Sequence, residues 1–398
     1  MGSGFSFNRK ALVDGFQEDC VQGIQGIRIQ AVPGRLAFAK ERFIEHLKRL
    51  GLADYVSINR DNDPAAIRFS LQNSLAEQWA PDWDTTQLCR HLDLDTEHNP
   101  DDLEREILLA MLLCPVPFDF PNYDELASAV RVRKNIVTAA RKTSLAFDTE
   151  SAERPEDYWT YSEENGFTIL PGKSLITALI EATQPEASGK LYSFSCYRAT
   201  EYVILLAIAQ ELAVCNPELL DRLQHQWERR AIKSAEFHEV FLREYGAEDA
   251  PLPLRYFVPG GRTWFRNPDD HSSDVSGYEG SWVIYLGNNQ FSNFWKLNQP
   301  FTLTSKCIEL YHWRNAVRKN SVGELFIDEN IVAERVRQSL ADQEEMAAIL
   351  RIMMRHREPA GVYIDGGCID NTREYPHLLC PGTATLKLPT QPHLRTVV

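Results

Sequence analysis

The sequence lacks any apolar run long enough to cross a membrane or to act as a secretion signal. The most apolar stretch, Tyr202–Val214, is interrupted by Gln210 and Glu211, whereas a membrane-spanning helix needs about 18 or more largely uninterrupted apolar residues. The opening segment, MGSGFSFNRKALVDGF, contains no apolar core of the kind that a signal peptide carries. We therefore expect a soluble, cytoplasmic protein with no membrane partner, and non-classical secretion stays open.

Positive charge is also scarce. The chain has 42 Lys and Arg residues against 56 Asp and Glu residues, which gives a formal net charge of −14. An acidic chain repels phosphate backbones, so we expect no nucleic-acid partner. Hydrophobic residues make up 43% and charged residues 25%, which is ordinary for a globular protein.

Closely spaced cysteines are absent. The chain has eight cysteines, and none of them forms a Cys-x-x-Cys pair, which argues against a disulfide framework and against a structural zinc site. His91 and His98 have no third metal ligand nearby, so we expect neither a metal nor a cofactor. Most of the cysteines are expected to be small buried side chains. They are Cys20, Cys89, Cys114, Cys196, Cys215, Cys307, Cys368 and Cys380.

The chain of 398 residues is too long for one compact core, so two or three packed units are expected. Residues 1–113 are predicted to be a mostly helical accessory segment with little strand signal. Residues 114–325 alternate between helix and strand patterns and form the predicted central domain. Residues 326–398 are predicted to contain one long amphipathic helix, Ile327–Glu358, followed by an irregular tail.

Cys196 is the sharpest chemical feature of the sequence. It follows Ser193 and Ser195 at a point where a turn runs into a long apolar helix. Either serine could cap that helix, and the partial positive charge of a helix N-terminus favours a thiolate over a thiol. Such a position suits a cysteine nucleophile. The alternative is an ordinary buried structural cysteine.

Three stretches, in order, resemble the spore-coat-type bacterial transglutaminases. The first is CPVPFDFPNYDELASAVRVRKNIVTAARK (Cys114–Lys142). The second is YWTYSEENGFTILPGKSLITALIEA (Tyr158–Ala182), followed by LYSFSCYRATEYVILLAIAQEL. The third is YFVPGGRTWFRNP followed by GYEGSWVIYLGNNQF. Together they place the resemblance at residues of about 114–313, which is half of the chain.

This resemblance implies a fold and a reaction. The fold would be α+β, with a papain-like cysteine acyltransferase core, a mostly α-helical N-terminal extension and a C-terminal helix. The family joins the carboxamide of a protein glutamine to a lysine amine and releases ammonia. A cysteine thioester is the intermediate, and no metal or cofactor takes part. The partner would be a protein substrate with accessible Gln and Lys side chains.

The resemblance assigns the nucleophile to Cys196, but this chain has no glutamate at either position where the family has a catalytic glutamate. The family has a glutamate directly before its cysteine, where this chain has Ser195. Its second glutamate falls at Ser281, and Glu279 lies two residues earlier. Because residues i and i+2 of a strand share a face, Glu279 is predicted to supply the catalytic carboxylate.

The family's histidine falls at Phe294 when the sequences are aligned without a gap. His312 is the nearest later candidate and is predicted to be the catalytic histidine, although His271, the nearest earlier one, is not excluded by spacing. Three aromatic residues are predicted to line a substrate tunnel, with ordinary strand packing as the alternative for each. They are Trp264, Tyr278 and Trp282.

Three functions are compatible with these residues. The first is acyl transfer from protein glutamine to lysine through a thioester on Cys196. The second keeps the thioester but uses water, which would make the protein a glutamine deamidase or amide hydrolase. The third is a catalytically degenerate binding or structural module of the same fold, suggested by Ser195, Ser281 and Phe294.

Overall fold

The computed structural model describes residues 23–32, 34–147, 152–358 and 366–389. Cys20 and parts of the predicted accessory segment and tail lie outside these ranges. Within them, helices and strands are mixed along the chain. This mixture agrees with the predicted α+β class, and the papain-like layout remains a prediction.

Helices supply the larger part of the regular structure. The α-helices of the described residues are α1 (Leu36–Arg49), α2 (Asn73–Trp79), α3 (Leu88–Leu92), α4 (Pro100–Leu113), α5 (Tyr123–Lys142), α6 (Leu175–Thr183), α7 (Pro185–Ser188), α8 (Cys196–Cys215), α9 (Pro217–Arg229), α10 (Ser234–Phe241), α11 (Asp270–Ser273), α12 (Leu303–Trp313), α13 (Glu329–Ala341) and α14 (Gln343–Met353).

The strands are short and fall into two sheets and several pairs. They are β1 (Ile27–Gln30), β2 (Val56–Arg60), β3 (Ala66–Leu71), β4 (Phe118–Phe120), β5 (Ala146–Phe147), β6 (Trp159–Ser162), β7 (Gly166–Ile169), β8 (Ser193–Phe194), β9 (Leu242–Tyr245), β10 (Arg262–Arg266), β11 (Gly280–Gly287), β12 (Gln290–Phe291), β13 (Val317–Lys319), β14 (Leu325–Ile327) and β15 (Arg373–Pro376). One sheet has the order β2-β3-β1-β4, the other has the order β12-β11-β10-β15-β9, and the remaining strands pair as β5-β8, β6-β7 and β13-β14.

The prediction that residues 1–113 are mostly helical with little strand signal needs correction, because this segment also contributes three strands to the first sheet. Strand β3 covers residues that we predicted to be helical. There Ile67, Phe69 and Leu71 are nearly or fully buried, and their period of two is that of a strand with one face on the core. The strand ends before α2 begins at Asn73.

Helix α8 forms the centre of the larger core. It is apolar on all sides, and from Ala199 to Leu212 nearly every side chain is buried. A helix of this kind is stable only when neighbours cover its whole surface, and α5, α6, α9 and β11 do so. The contact with β11 places the first turn of α8 beside the strand that carries Ser281 and Trp282.

The C-terminal region differs from the prediction in two respects. The single predicted helix is two helices, α13 and α14, because Asp342 leaves the helical conformation. Its carboxylate accepts hydrogen bonds from the backbone N–H groups of Glu344 and Glu345 at 2.9 and 3.1 Å. An aspartate that caps the next helix in this way stops the preceding one from continuing.

The tail is also more regular than predicted. Strand β15 lies between β10 and β9 in the five-stranded sheet, where it pairs Glu374 with Arg262 on one side and with Glu244 on the other. The tail is therefore part of the sheet that supports the site described below. In the described part of the chain, no helix is both long and apolar enough to cross a lipid bilayer.

Candidate functional site

Cys196 is the first residue of α8, as the sequence predicts. Ser195 occupies the N-cap position with an extended backbone, and its hydroxyl accepts a hydrogen bond from the backbone N–H of Arg198 at 3.4 Å. Strand β8, directly before this cap, pairs in parallel with β5. Cys196 as a whole residue is intermediate between buried and exposed, and it forms part of the wall of a cavity.

The Cys196 side chain opens onto a cavity of about 170 Å³. Aromatic rings form much of its wall, and two carboxylates and two ammonium groups also face it. Among the described residues that line it, none is a histidine. The lining residues are Phe147, Cys196, Gly277, Tyr278, Gly280, Ser281, Asn293, Trp295, Lys296, Phe301, Lys306, Glu309, Trp313 and Glu329.

An ion pair from α12 projects into this cavity. Lys306 is only 3% exposed, and its ammonium nitrogen lies 2.6 Å from a carboxylate oxygen of Glu309. The two residues are three apart, so they share a face of the helix. A capping box formed by Thr302 and Ser305 begins the helix one turn before Lys306. The cap fixes the start of the helix and hence the direction in which the ion pair points.

A second pair of polar groups closes another side of the cavity. The hydroxyl of Tyr278 donates a hydrogen bond of 2.7 Å to a carboxylate oxygen of Glu329, the first residue of α13. Burial raises the pKa of Glu329 above its usual range, although the hydrogen bond from Tyr278 opposes this effect. Burial likewise raises the pKa of Tyr278, and the negative charge of Glu329 adds to that rise.

The pKa of the Cys196 thiol is raised overall, contrary to the expectation from its helix position alone. Burial is the largest cause, because it disfavours the charged thiolate. Hydrogen bonding by the backbone of Trp282, the positive charge of Lys306 and hydrogen bonding by the backbone of Tyr197 all lower the pKa, whereas the negative charge of Glu279 raises it. The thiol therefore depends on its neighbours for ionisation.

Glu279, the predicted carboxylate, lies just before β11 and is exposed. It is absent from the residues that line the cavity. One of its carboxylate oxygens accepts a hydrogen bond of 3.3 Å from the backbone N–H of Gly277, which does line it. Its charge influences the thiol from this outer position.

The structure does not bring His312 to the site. This side chain is 2% exposed on α12 and absent from the cavity lining. Its Nε2 lies 2.7 Å from the hydroxyl of Ser339 on α13, and its Nδ1 lies 2.8 Å from the amide of Asn315. Both ring nitrogens are thus engaged by groups outside the cavity lining, on α13 and in the turn after α12, so this position does not support the predicted catalytic role of His312. His271 is exposed on α11, and Phe294 is buried in the core.

Only one of the three predicted tunnel residues lines the cavity. Tyr278 does so, whereas Trp264 and Trp282 are opposite each other on β10 and β11 and stack with their ring centroids 5.9 Å apart. Trp264 also covers Gly280 so closely that no larger residue would fit there. The two tryptophans therefore support the strand behind the site.

The other aromatic rings of the cavity are not evident from the sequence. Phe147 ends β5, Trp295 and Phe301 lie in the connection between β12 and α12, and Trp313 ends α12. No periodic pattern links them, and only the tertiary fold brings them together. The same holds for the charged residues of α12 and α13.

A separate cluster of buried charge contacts the first turns of α8. Arg262 on β10 is fully buried and forms an ion pair with Glu374 of β15. The other oxygen of Glu374 lies 2.7 Å from Nδ1 of His238. The Arg262 guanidinium lies over the ring of Trp282, 4.5 Å from the ring centroid. One of its nitrogens donates a hydrogen bond of 3.5 Å to the hydroxyl of Thr200. Glu244 also approaches His238 and Glu374 closely enough to share a cation, but Arg262 already supplies the compensating positive charge.

Comparison with known proteins gives three findings. The model of the family described as protein-glutamine gamma-glutamyltransferase matches residues 85–371, which crosses both predicted domain boundaries. A protein-glutamine gamma-glutamyltransferase of Bacillus subtilis (strain 168) is 26% identical over 215 residues, which are 52% of this chain and 78% of that protein. A solved transglutaminase from Geobacillus stearothermophilus, without its C-terminal extension, is 20% identical with a TM-score of 0.37, and the match covers 55% of this chain and 98% of that one.

Proposed function

Because the chain belongs to the protein-glutamine gamma-glutamyltransferase family, we propose that it transfers the acyl group of protein glutamine side chains to lysine amines through a thioester on Cys196. The single observation that carries this proposal is the position of the Cys196 sulfur, at a helix N-terminus and open to an aromatic-walled cavity. This is the arrangement that a thiol nucleophile needs.

The reaction proceeds in two acyl transfers. The sulfur attacks the carboxamide carbon of a glutamine, a carbon–sulfur bond forms, and the carbon–nitrogen bond breaks with release of ammonia. A lysine amine then attacks the thioester carbon, forms the isopeptide bond and displaces the sulfur. The backbone groups of Trp282 and Tyr197 that favour the thiolate also stabilise negative charge beside the reacting carbon.

The charge and shape of the cavity suit these substrates. Aromatic walls accept the methylene chains of glutamine and lysine, and they exclude water that would otherwise hydrolyse the thioester. Glu279, exposed beside Gly277 at the cavity wall, is our proposal for the carboxylate that attracts the incoming lysine ammonium. Its screened surface position suits attraction better than removal of the thiol proton.

Incorporation of a fluorescent primary amine into a glutamine-containing protein tests this function. We expect incorporation by the wild type and a loss of at least about a thousandfold in Cys196→Ala, because removing a covalent nucleophile removes most of the rate enhancement. Cys215→Ala is the matched control, since Cys215 is at the opposite end of the same helix, and it should retain wild-type incorporation.

The alternative functions give different results in the same assay. Release of ammonia without incorporation of the amine would identify a deamidase or amide hydrolase. Neither ammonia nor incorporation with a range of glutamine donors would identify a binding module. Equal incorporation by wild type and Cys196→Ala would contradict the proposed thioester.

A further inference from the structure

Lys306 is an unusual residue for the wall of an apolar cavity. Lysine is almost never fully buried unless it is paired, and Lys306 is 3% exposed with Glu309 as its partner at 2.6 Å. Its ammonium nitrogen lies 4.1 Å from the centroid of the Phe301 ring. A buried ion pair is weak support for stability, because the loss of hydration offsets much of the attraction. Stability therefore does not explain why this pair faces the cavity.

The cavity offers few groups that can exchange a proton with a substrate. Besides the Cys196 thiol, the titratable groups of the described residues that line it are Tyr278, Lys296, Lys306, Glu309 and Glu329, and Glu279 acts on the thiol from outside. The Glu329 carboxylate already accepts a hydrogen bond from the Tyr278 hydroxyl, and Lys296 is exposed. Lys306 is the buried cation among them, and its charge is felt at the Cys196 sulfur.

We propose that Lys306, oriented by Glu309, stabilises the Cys196 thiolate and donates the proton that the departing ammonia requires. This inference rests on the proposed function and assigns to a lysine the role that an imidazole has in other thiol enzymes. Lys306 would be a catalytic residue, and Glu309 a positioning residue that fixes the direction of its amine.

The proton inventory of this assignment balances. The thiol first loses its proton to solvent, and the thiolate is stabilised by the ammonium of Lys306. When the carbon–nitrogen bond of glutamine breaks, Lys306 gives one proton to the nitrogen, which leaves as ammonia and is protonated by solvent. Neutral Lys306 then takes a proton from the incoming lysine ammonium. The free amine attacks the thioester, the thiolate departs, and the second proton of that amine goes to solvent.

Two substitutions at Lys306 separate its charge from its proton. Lys306→Met removes both, so alkylation of Cys196 by iodoacetamide at neutral pH should slow by about tenfold, the effect of one pKa unit on the thiolate fraction. Acyl transfer should fall by about a hundredfold or more, as expected when a proton donor is lost. Lys306→Arg keeps the positive charge but cannot release a proton at neutral pH. Alkylation of Cys196 should therefore stay within about threefold of the wild-type rate, while acyl transfer should be as low as in Lys306→Met.

Lys134→Met provides a matched control. Lys134 forms a Lys–Glu ion pair with Glu104, with a nitrogen–oxygen distance of 2.5 Å, and is absent from the cavity lining. This variant should leave alkylation of Cys196 and acyl transfer within about twofold of wild type, as expected for a pair remote from the site. Peptide mass spectrometry assigns the alkylation to Cys196, and thermal unfolding checks that each variant is folded.

The outcomes decide each part of the proposal separately. Wild-type alkylation in a folded Lys306→Met variant would overturn the role in stabilising the thiolate. Wild-type transfer by Lys306→Arg would overturn the role as proton donor. If the wild type itself transfers no acyl group, the proposed function fails, whereas slower alkylation in Lys306→Met than in Lys134→Met would still support the effect of Lys306 on the thiol.

Discussion

Two clusters of buried charge adjoin the first turns of α8, and they differ in what surrounds them. In the first cluster, Arg262 and Glu374 lie on adjacent strands of the five-stranded sheet, and the partly exposed His238 joins them from α10. Arg262 also packs against Trp282 and Thr200. The pair of Lys306 and Glu309 faces an open cavity that it shares with Cys196. A buried charged group therefore indicates a catalytic role only where it also faces space that a substrate can enter.

Removal of the central cation from the closed cluster should give the largest effect on folding. Arg262→Met leaves the Glu374 carboxylate buried beside a neutral side chain, and the loss of one partner of a buried ion pair costs about 3–5 kcal/mol. Urea unfolding of wild type and variant measures this cost. A loss below about 1 kcal/mol, a value typical of exposed pairs, would show that the ion pair of Arg262 and Glu374 contributes little to the stability of the fold.

The corresponding change in the open pair should affect the reaction more than the fold. Glu309→Gln removes the negative charge beside Lys306 but keeps an amide oxygen that can accept a hydrogen bond from its ammonium, so we expect a stability loss of about 1–3 kcal/mol. Acyl transfer should fall by up to about a hundredfold, because a displaced catalytic group loses its alignment. Steady-state kinetics and urea unfolding, measured on the same preparation, test both expectations. A large stability loss with unchanged transfer would reverse the contrast between the two clusters.

The closed cluster should also make stability depend on pH. The hydrogen bond to Glu374 is the largest factor that raises the pKa of His238, and Glu244 also raises it, whereas burial and Arg262 lower it. A raised pKa in the folded state means that protonated His238 stabilises the fold at pH values below its unfolded pKa of about 6.5. This contribution is lost as the pH rises through the folded-state pKa.

Comparison of wild type with His238→Gln at two pH values tests this dependence. The difference in unfolding free energy should be larger near pH 6 than near pH 8.5, by at most about 1 kcal/mol because the histidine is partly exposed to solvent. A difference that is constant or grows with pH would contradict a protonated His238 in the cluster.

The smallest effect is expected from Glu279. Its negative charge raises the pKa of the Cys196 thiol from an exposed position, so Glu279→Gln should make the thiol slightly more reactive. We expect alkylation of Cys196 to accelerate by less than about threefold, because solvent and salt screen the interaction. Slower alkylation in this variant would instead assign Glu279 a direct role in deprotonating the thiol.

Local patterns predicted the elements that hold the nucleophile. The cap at Ser195 and the helix that begins at Cys196 depend on neighbouring residues, and the structure confirms them. These features could be predicted because a helix cap is encoded within a few residues.

The rest of the site could not be predicted in this way. A lysine and a glutamate three residues apart on a helix usually form an exposed pair, and only the neighbours of α12 bury Lys306 and partly cover Glu309. His312, on the same helix, is the nearest later histidine in the sequence, but its side chain is hydrogen-bonded to Ser339. Which face of α12 meets Cys196 depends on tertiary packing.

The most direct test of the central claim is the intact mass of the protein after brief incubation with a glutamine peptide and no amine. We expect a covalent adduct equal to the peptide minus one ammonia, located on Cys196 by peptide mapping and removed by hydroxylamine, which cleaves thioesters. The adduct should be missing in Cys196→Ala and present in Cys215→Ala. An adduct on another residue, or none at all while amine incorporation continues, would contradict the account.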